Sequence, residues 1–369
     1  MALLRRSCGT MEAHTKMIET DPVYRANRLA IESFTAARIS AKAAVRKVVK
    51  IPVVVHVVYA SAGENISDAQ VKSQIDALNL DYRKKNTDIG KIPAPFKSLA
   101  FDARIEFALA VRDPNGSPTT GITRTETAKQ QFDSHKNDIK FASTGGHDAW
   151  PRNKYLNLWT AKTILDPQVG PLLGYAQFPG GAAATDGVVI TSDGFGTQGT
   201  AQAPFNLGRT ATHEIGHWFN LLHIWGDDNG ACTGSDNVPD TPNQSDHNFN
   251  KPTFPHITCN NGPNGDMFMD YMDYVDDDTM FMFTAGQVAR IRAALNGPRA
   301  SLLTSDGLAK VAPTARLVLS VPASAAARQA ALARQADHGA TRVFNGAEWV
   351  TLKSAAKAKP ATARRRRSR

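Results

Sequence analysis

"ATHEIGHWFNLLHIWGDD", residues 211–228, sets three histidines four and then six residues apart, with a glutamate directly after the first. His213 and His217 stand at i and i+4, about 40° apart around a helix, so both imidazoles can face one ion. On a continuing helix His223 would sit some 80° off that face and about 9 Å farther along the axis. The helix must therefore end between His217 and His223 if all three are ligands. The spacing predicts the break at Asn220, because asparagine is the non-glycine residue most willing to take the left-handed conformation that closes helices. Three neutral imidazoles and one open position describe catalytic zinc, whereas a structural site has four protein ligands. Glu214 is then placed to take a proton from an attacking water and deliver it to a leaving amine. The bland alternative, three unrelated histidines, requires the spacing to be accidental.

The flanking sequence predicts an α/β layer with a mixed sheet. Residues 10–50 are rich in Ala, Arg, Lys and Glu and read as helical without a strong apolar stripe. "IPVVVHVVY" (51–59) reads as a buried strand, with His56 a hydrogen-bonded core histidine. In "ISDAQVKSQIDALNLDYR", Ser67 and Gln70 form a capping box, and Val71, Ile75, Leu78 and Tyr82 recur at helical spacing. "RIEFALAV" (104–111), "YLNLWTA" (155–161) and "DGVVITS" (186–192) read as strands, the first ended by a turn at "DPNG" and the last preceded by a loop at "FPGG". Residues 226–268 are mostly loop, which a compact domain tolerates only when a disulfide or a metal holds it. Thr284 and Gln287 cap a final helix over 285–296. Beyond about 310 the chain turns Ala- and Arg-rich, interrupted only by "TRVFNGAEWVTL".

The net charge of +9 is concentrated in a tail. Lys353, Lys357, Lys359, Arg364, Arg365, Arg366, Arg367 and Arg369 lie in a stretch without acids, so the body is nearly neutral. Such a tail is a solvated arm or a contact for polyanions. The longest apolar run is too short to span a bilayer, and the first residues lack a signal-peptide core. Cys8, Cys232 and Cys259 are the three cysteines. An odd count suggests one pair and one free thiol. A Cys232–Cys259 bridge would close a loop of about 28 residues and stabilise the fold by roughly 3–4 kcal/mol; two unlinked thiols are the alternative.

"HEIGHWFNLLH" resembles the extended zinc motif HExxHxxGxxH of the metzincin metallopeptidases, with Asn220 at the usual glycine. With "DTPNQ" (240–244) and "DYMDY" (270–274) it resembles more narrowly the pappalysin family, on its cytophagalysin-like side. The likeness covers about 50–300. It implies a twisted sheet and zinc helix in an N-terminal subdomain, an irregular C-terminal subdomain, and a substrate cleft between them. It implies that Met272 forms the Met-turn beneath the histidines and that Tyr274 assists the oxyanion. It implies a disulfide in the loop after the third histidine and calcium there, with Asp227, Asp228, Asp236, Asp240 and Thr241 as oxygen donors. It also implies a zymogen, in which Cys8 is the candidate for a thiolate switch on the fourth zinc position. Asp276, Asp277 and Asp278 follow the Met-turn, where the family builds the pocket beyond the cleaved bond. They either favour basic side chains or form a solvated acidic loop.

The reading is thus a zinc endopeptidase with a candidate prosegment (1–50), a catalytic domain (51–305) and a basic extension (306–369). It is expected to be a secreted monomer that acts on peptides without membrane insertion. The competing reading is a non-catalytic zinc module tethered to polyanions by its tail, against which Glu214 argues.

Overall fold

The apolar run at 51–59 becomes an interior strand of a twisted sheet in the computed structural model. The structure describes residues 5–40 and 47–311, with the backbone of two short strands at 341–344 and 349–352. Two helices come first, α1 (Thr10–Thr20) and α2 (Pro22–Ser40), then β1 (Val49–Tyr59) and α3 (Asp68–Asp81). Strands β2 (Ile105–Leu109), β3 (Ile122–Glu126), β4 (Phe132–Asp133), β5 (Leu156–Ala161), β6 (Ile164–Asp166), β7 (Gly170–Leu172), β8 (Gly174–Ala176) and β9 (Val188–Thr191) follow. The zinc-motif helix is α4 (Arg209–Trp218). Then come β10 (Phe249–Asn250), β11 (Tyr274–Val275) and α5 (Ala285–Asn296).

The main sheet runs β2-β1-β5-β9-β8, with β3 also on β1. Every pairing is parallel except β8 on β9. Both faces of β1 are covered, which is why its sequence is a near-continuous apolar run. Ile51, Val53, Val55 and Val57 join the core shared with α3 and α4, while Val58 packs on the opposite face with Trp159 and Val189. His56 is fully buried between Thr123 Oγ1 (2.8 Å) and Asn157 Oδ1 (3.0 Å), as a satisfied core histidine should be.

The α3 stripe of Val71, Ile75, Leu78 and Tyr82 is buried as predicted. The capping box at its start is only half formed. Ser67 Oγ accepts from the Gln70 amide, but the Gln70 side chain donates to Ser192 O, Phe195 O and Thr200 Oγ1. The Gln70 side chain, itself buried, satisfies its amide on these tertiary acceptors instead. At α5 the reciprocal box between Thr284 and Gln287 is complete.

Residues 226–268 contain no regular element beyond β10. The Cys232–Cys259 disulfide closes this loop. Buried carboxylates also hold it: Asp273 accepts from the Asn248 amide (2.7 Å) and from Gln244 Nε2 (2.8 Å). Helices α1 and α2 belong to the same compact unit as the sheet, which extends through Val311. Within 312–369 the described part is an antiparallel pair, β12 (Thr341–Phe344) with β13 (Trp349–Leu352). His338 and the basic residues of the tail lie outside the described residues.

Candidate metal centre and active site

Helix α4 stops at Trp218 and the chain reverses at Asn220, whose φ is 79°. The Asn220 amide donates to His217 O (2.8 Å) and the Leu221 amide to Gly216 O (2.9 Å). This pair of bonds is the Schellman closure that a left-handed residue permits. The turn swings His223 back, so that His217 Nε2 lies 3.1 Å from both His213 Nε2 and His223 Nε2.

Each ring is fixed through its other nitrogen. His213 Nδ1 donates to Tyr271 O (2.8 Å), His217 Nδ1 to Leu221 O (2.8 Å), and His223 Nδ1 to Asp227 Oδ1 (2.7 Å). These acceptors leave all three Nε2 atoms as bare lone pairs facing one another. Burial and the neighbouring rings push His213 and His217 well below the usual imidazole range, so protons do not relieve the crowding. Three converging lone pairs without a proton are the donor set of a cation. Imidazole donors and a nearby thiol select zinc over the hard, oxygen-seeking ions. Cys8 Sγ completes a group whose ligand atoms all lie within 4.8 Å of one another, and it is the one such group among the described residues.

Glu214 is buried beside this group. Its Oε2 accepts from Thr10 Oγ1 (2.9 Å) and Cys8 Sγ (3.3 Å). Burial pushes its pKa up to about 7, with the Cys8 and Thr10 hydrogen bonds opposing the rise. Met272 lies beneath α4, so close to Gly216 that a Cβ there would overlap its sulfur. The fourth residue of the HEIGH motif is thus glycine for a packing reason. The Tyr274 ring sits 5.0 Å from His223 and 5.6 Å from His213, and burial holds its hydroxyl protonated. Trp225 stacks on His223 at 4.2 Å. These groups open on a cleft of about 840 Å³ lined by Cys8, His135, His223, His247 and Tyr274.

The N-terminal segment lies in that cleft. Ser7 O accepts from the Leu173 amide (3.0 Å), and the Gly9 amide donates to Gly174 O (3.0 Å), so residues 7–9 pair parallel with the edge strand β8. Arg6 runs inward. Its guanidinium reaches Asp277 Oδ1 (2.6 Å), Thr210 Oγ1 (3.1 Å) and Val275 O (3.2 Å), with the Arg6 and Asp277 side chains almost fully buried. The solvated-loop reading therefore fails at Asp277, which also accepts from the Leu207 amide (2.7 Å); Asp278 alone of the three is well exposed.

Among the described residues Asp227, Asp228, Asp236 and Asp240 do not form a common group of ligand atoms, and each has a partner of its own. Asp227 holds His223, Asp228 accepts from the Thr233 and Gly234 amides, Asp236 accepts from Thr241 Oγ1, and Asp240 accepts from Thr284 Oγ1. Of the other described histidines, His135 and His247 line the same cleft, His147 stacks on His56, and His256 pairs with Asp266.

Sequence reasoning missed Arg6, Thr10 and the partners of Asn220. The Asn220 side chain accepts from Arg28 Nη1 (2.6 Å) and donates to Glu32 Oε1 (2.9 Å), both on α2. The Asn220 carbonyl accepts from Arg290 Nη2 (3.1 Å), which also binds Glu32 Oε2 (2.9 Å). The departure from glycine was the signal, since an amide in place of a hydrogen atom offers something to bind.

Known proteins agree with this geometry. A family model described as "Pregnancy-associated plasma protein-A", a peptidase family, matches residues 141–296. An extracellular metalloprotease of Pyricularia oryzae is 33% identical over 293 residues, covering 77% of this chain and 86% of that protein. A mutant of Tannerella forsythia promirolysin superposes with a TM-score of 0.76 at 42% identity, covering 84% of this chain and 100% of that one. Mature mirolysin of the same organism, in complex with a cleaved peptide, superposes with a TM-score of 0.67 at 49% identity, covering 70% of this chain and 96% of that one. The chain belongs to the pappalysin family of metzincin zinc metalloendopeptidases.

Proposed function

We propose that this chain is a secreted zinc endopeptidase held latent by its own N-terminal segment. The observation that carries the reading is the double contact of Cys8 and Thr10 with Glu214, beside three converging histidines. When bound at His213, His217 and His223, zinc supplies Lewis acidity that favours deprotonation of an attacking water and polarises the substrate carbonyl.

Glu214 does the proton work. Freed of Cys8 and Thr10, its Oε2 accepts the proton of the attacking water and later delivers it to the departing amine. The Tyr274 hydroxyl, kept protonated by burial, donates a hydrogen bond to the carbonyl oxygen as it gains charge. Met272 keeps the floor beneath the rings apolar. In the latent chain Cys8 stands on the side left open by the histidines, so thiol and substrate compete for one place.

Arg6 supports a specificity. A buried arginine that ends on Asp277 beside α4 fills a subsite that would take a basic side chain just beyond the cleaved bond. The superposition with promirolysin covers more of this chain than that with mature mirolysin, which supports residues 1–50 as a prosegment before a catalytic domain at 51–305. The relatives named extracellular metalloproteases support export, and among the described residues no helix is long and apolar enough to cross a membrane. Calcium would have to use the carboxylate oxygens that the loop's own donors leave free. Loss of melting temperature with a calcium-selective chelator tests it. The basic tail of the extension (306–369) stays a proposed polyanion contact, and the enzyme a proposed monomer.

Turnover of fluorogenic peptides by the purified chain, with and without a zinc chelator, tests the function. The expected result is weak activity that rises in Cys8→Ser and disappears with the chelator. Equal activity of Cys8→Ser and parent would remove the latency, and chelator-resistant turnover would remove the zinc.

A further inference from the structure

His223 is held differently from its two companions. His213 and His217 lie on α4 and donate to backbone carbonyls, Tyr271 O and Leu221 O. His223 has left the helix, so no helical frame aims it. Its ring is gripped on one face by Trp225, at 4.2 Å and 10° between planes, and at the edge by a carboxylate, Asp227 Oδ1 at 2.7 Å. The four-residue return from His223 to Asp227 is closed by the Gly226 amide on His223 O (3.0 Å) and ends with Asp227 at φ 52°. A non-glycine residue in that region costs energy, which the ring contact offsets.

Two adjacent aspartates divide the work. Asp228 turns away and accepts from the Ala231, Thr233 and Gly234 amides, anchoring the disulfide loop. Asp227 turns in and makes its side-chain contact with the ring. A carboxylate on Nδ1 does what a carbonyl does for the tautomer, and more. Its full negative charge makes Nε2 a stronger donor and offsets part of the charge of a divalent ion.

We propose that Asp227 is a positioning residue for the metal: acting through Nδ1 of His223, it aims the third ligand and sets how tightly the chain holds zinc. The inference rests on the reading of the three histidines as a zinc site.

The test is chelator competition on the full zinc-loaded chain, with a chromogenic chelator reporting release. Asp227→Asn keeps the size of the side chain and removes the charge. Zinc affinity should fall about 10- to 100-fold, and the visible absorption of the cobalt-substituted chain should shift. Asp228→Asn should match the parent in both. The melting temperature of the metal-free chain should be the same for Asp227→Asn and parent. Zinc affinity of Asp227→Asn within twofold of the parent overturns the proposal. So does an equal drop in melting temperature with and without zinc, which would make the carboxylate a prop of the fold. A parent chain that takes up no zinc overturns this proposal together with the zinc site itself.

Discussion

The Arg6 guanidinium lies 2.6 Å from the Asp277 carboxylate although 271 residues separate the two in the chain. Neither side chain is exposed, so each would be an uncompensated buried charge without the other. The pair explains why Asp277, in the acidic run directly after the Met-turn, points inward. If Asp277 also receives the residue beyond the cleaved bond, its charge should set substrate choice. Asp277→Asn in the activated enzyme should lower kcat/KM for a peptide with arginine there by about 2 kcal/mol or more relative to an alanine peptide. That is a selectivity change of about 30-fold. The ratio for the two peptides is the measurement, because Asp277 also supports the Leu207 amide and a general loss of activity would not be informative.

Glu214→Gln should keep its zinc and lose hydrolysis by about 10²- to 10⁴-fold. Metal analysis of the purified variant beside its peptide turnover checks both halves. Full turnover without the carboxylate would remove Glu214 from the mechanism.

Asn220→Gly should loosen latency without harming chemistry. Glycine accepts the 79° φ of this turn, so the helix closure survives. The contacts to Arg28 and Glu32 do not. A hydrogen bond to a charged group contributes about 1.5–3 kcal/mol, so the uncleaved variant should show at least about tenfold more basal activity. Once matured by proteolysis, variant and parent should turn over alike. Equal basal activity before maturation would show that α2 is held by other contacts.

His56 makes stability depend on pH. Burial, with His147 alongside, lowers its pKa from 6.5 to about 3. Above pH 6.5 both folded and unfolded states are neutral at this residue. As pH falls, the unfolded state binds a proton that the folded state refuses, so stability is lost at about 1.4 kcal/mol per pH unit until about pH 3. His56→Gln should remove that slope. Denaturant unfolding of both proteins at several pH values between 7 and 4 checks it as the difference between two curves.

Most of the catalytic scaffold was legible because short-range chemistry specifies it. Helix periodicity fixed the pairing of His213 with His217, and the mismatch at His223 demanded a break that Asn220 makes. The apolar run of β1 was readable as a strand because both its faces are buried. Contacts made across the whole chain were not readable. Gln70 looked like a capping partner until Ser192 and Phe195 were brought beside it. Asp227, though only four residues from His223, looked like an oxygen ligand in an acidic loop, because the tight turn closed by the Gly226 amide on His223 O is not announced by residue type. Arg6 carried no signal beyond its nearness to Cys8, because its partner is supplied by the last part of the catalytic unit.

Arg6, Cys8, Thr10, Arg28 and Glu32 all sit on one short length of polypeptide, each engaged with the body of the enzyme. While that length stays attached, its local concentration at the cleft is far above that of any diffusing competitor. A single scission after α2 changes the order of the reaction: the bound fragment is then an ordinary ligand, lost on dilution and restored on concentrating. Activation should therefore be complete in a dilute extracellular fluid and incomplete in a crowded store, with no further change in the protein.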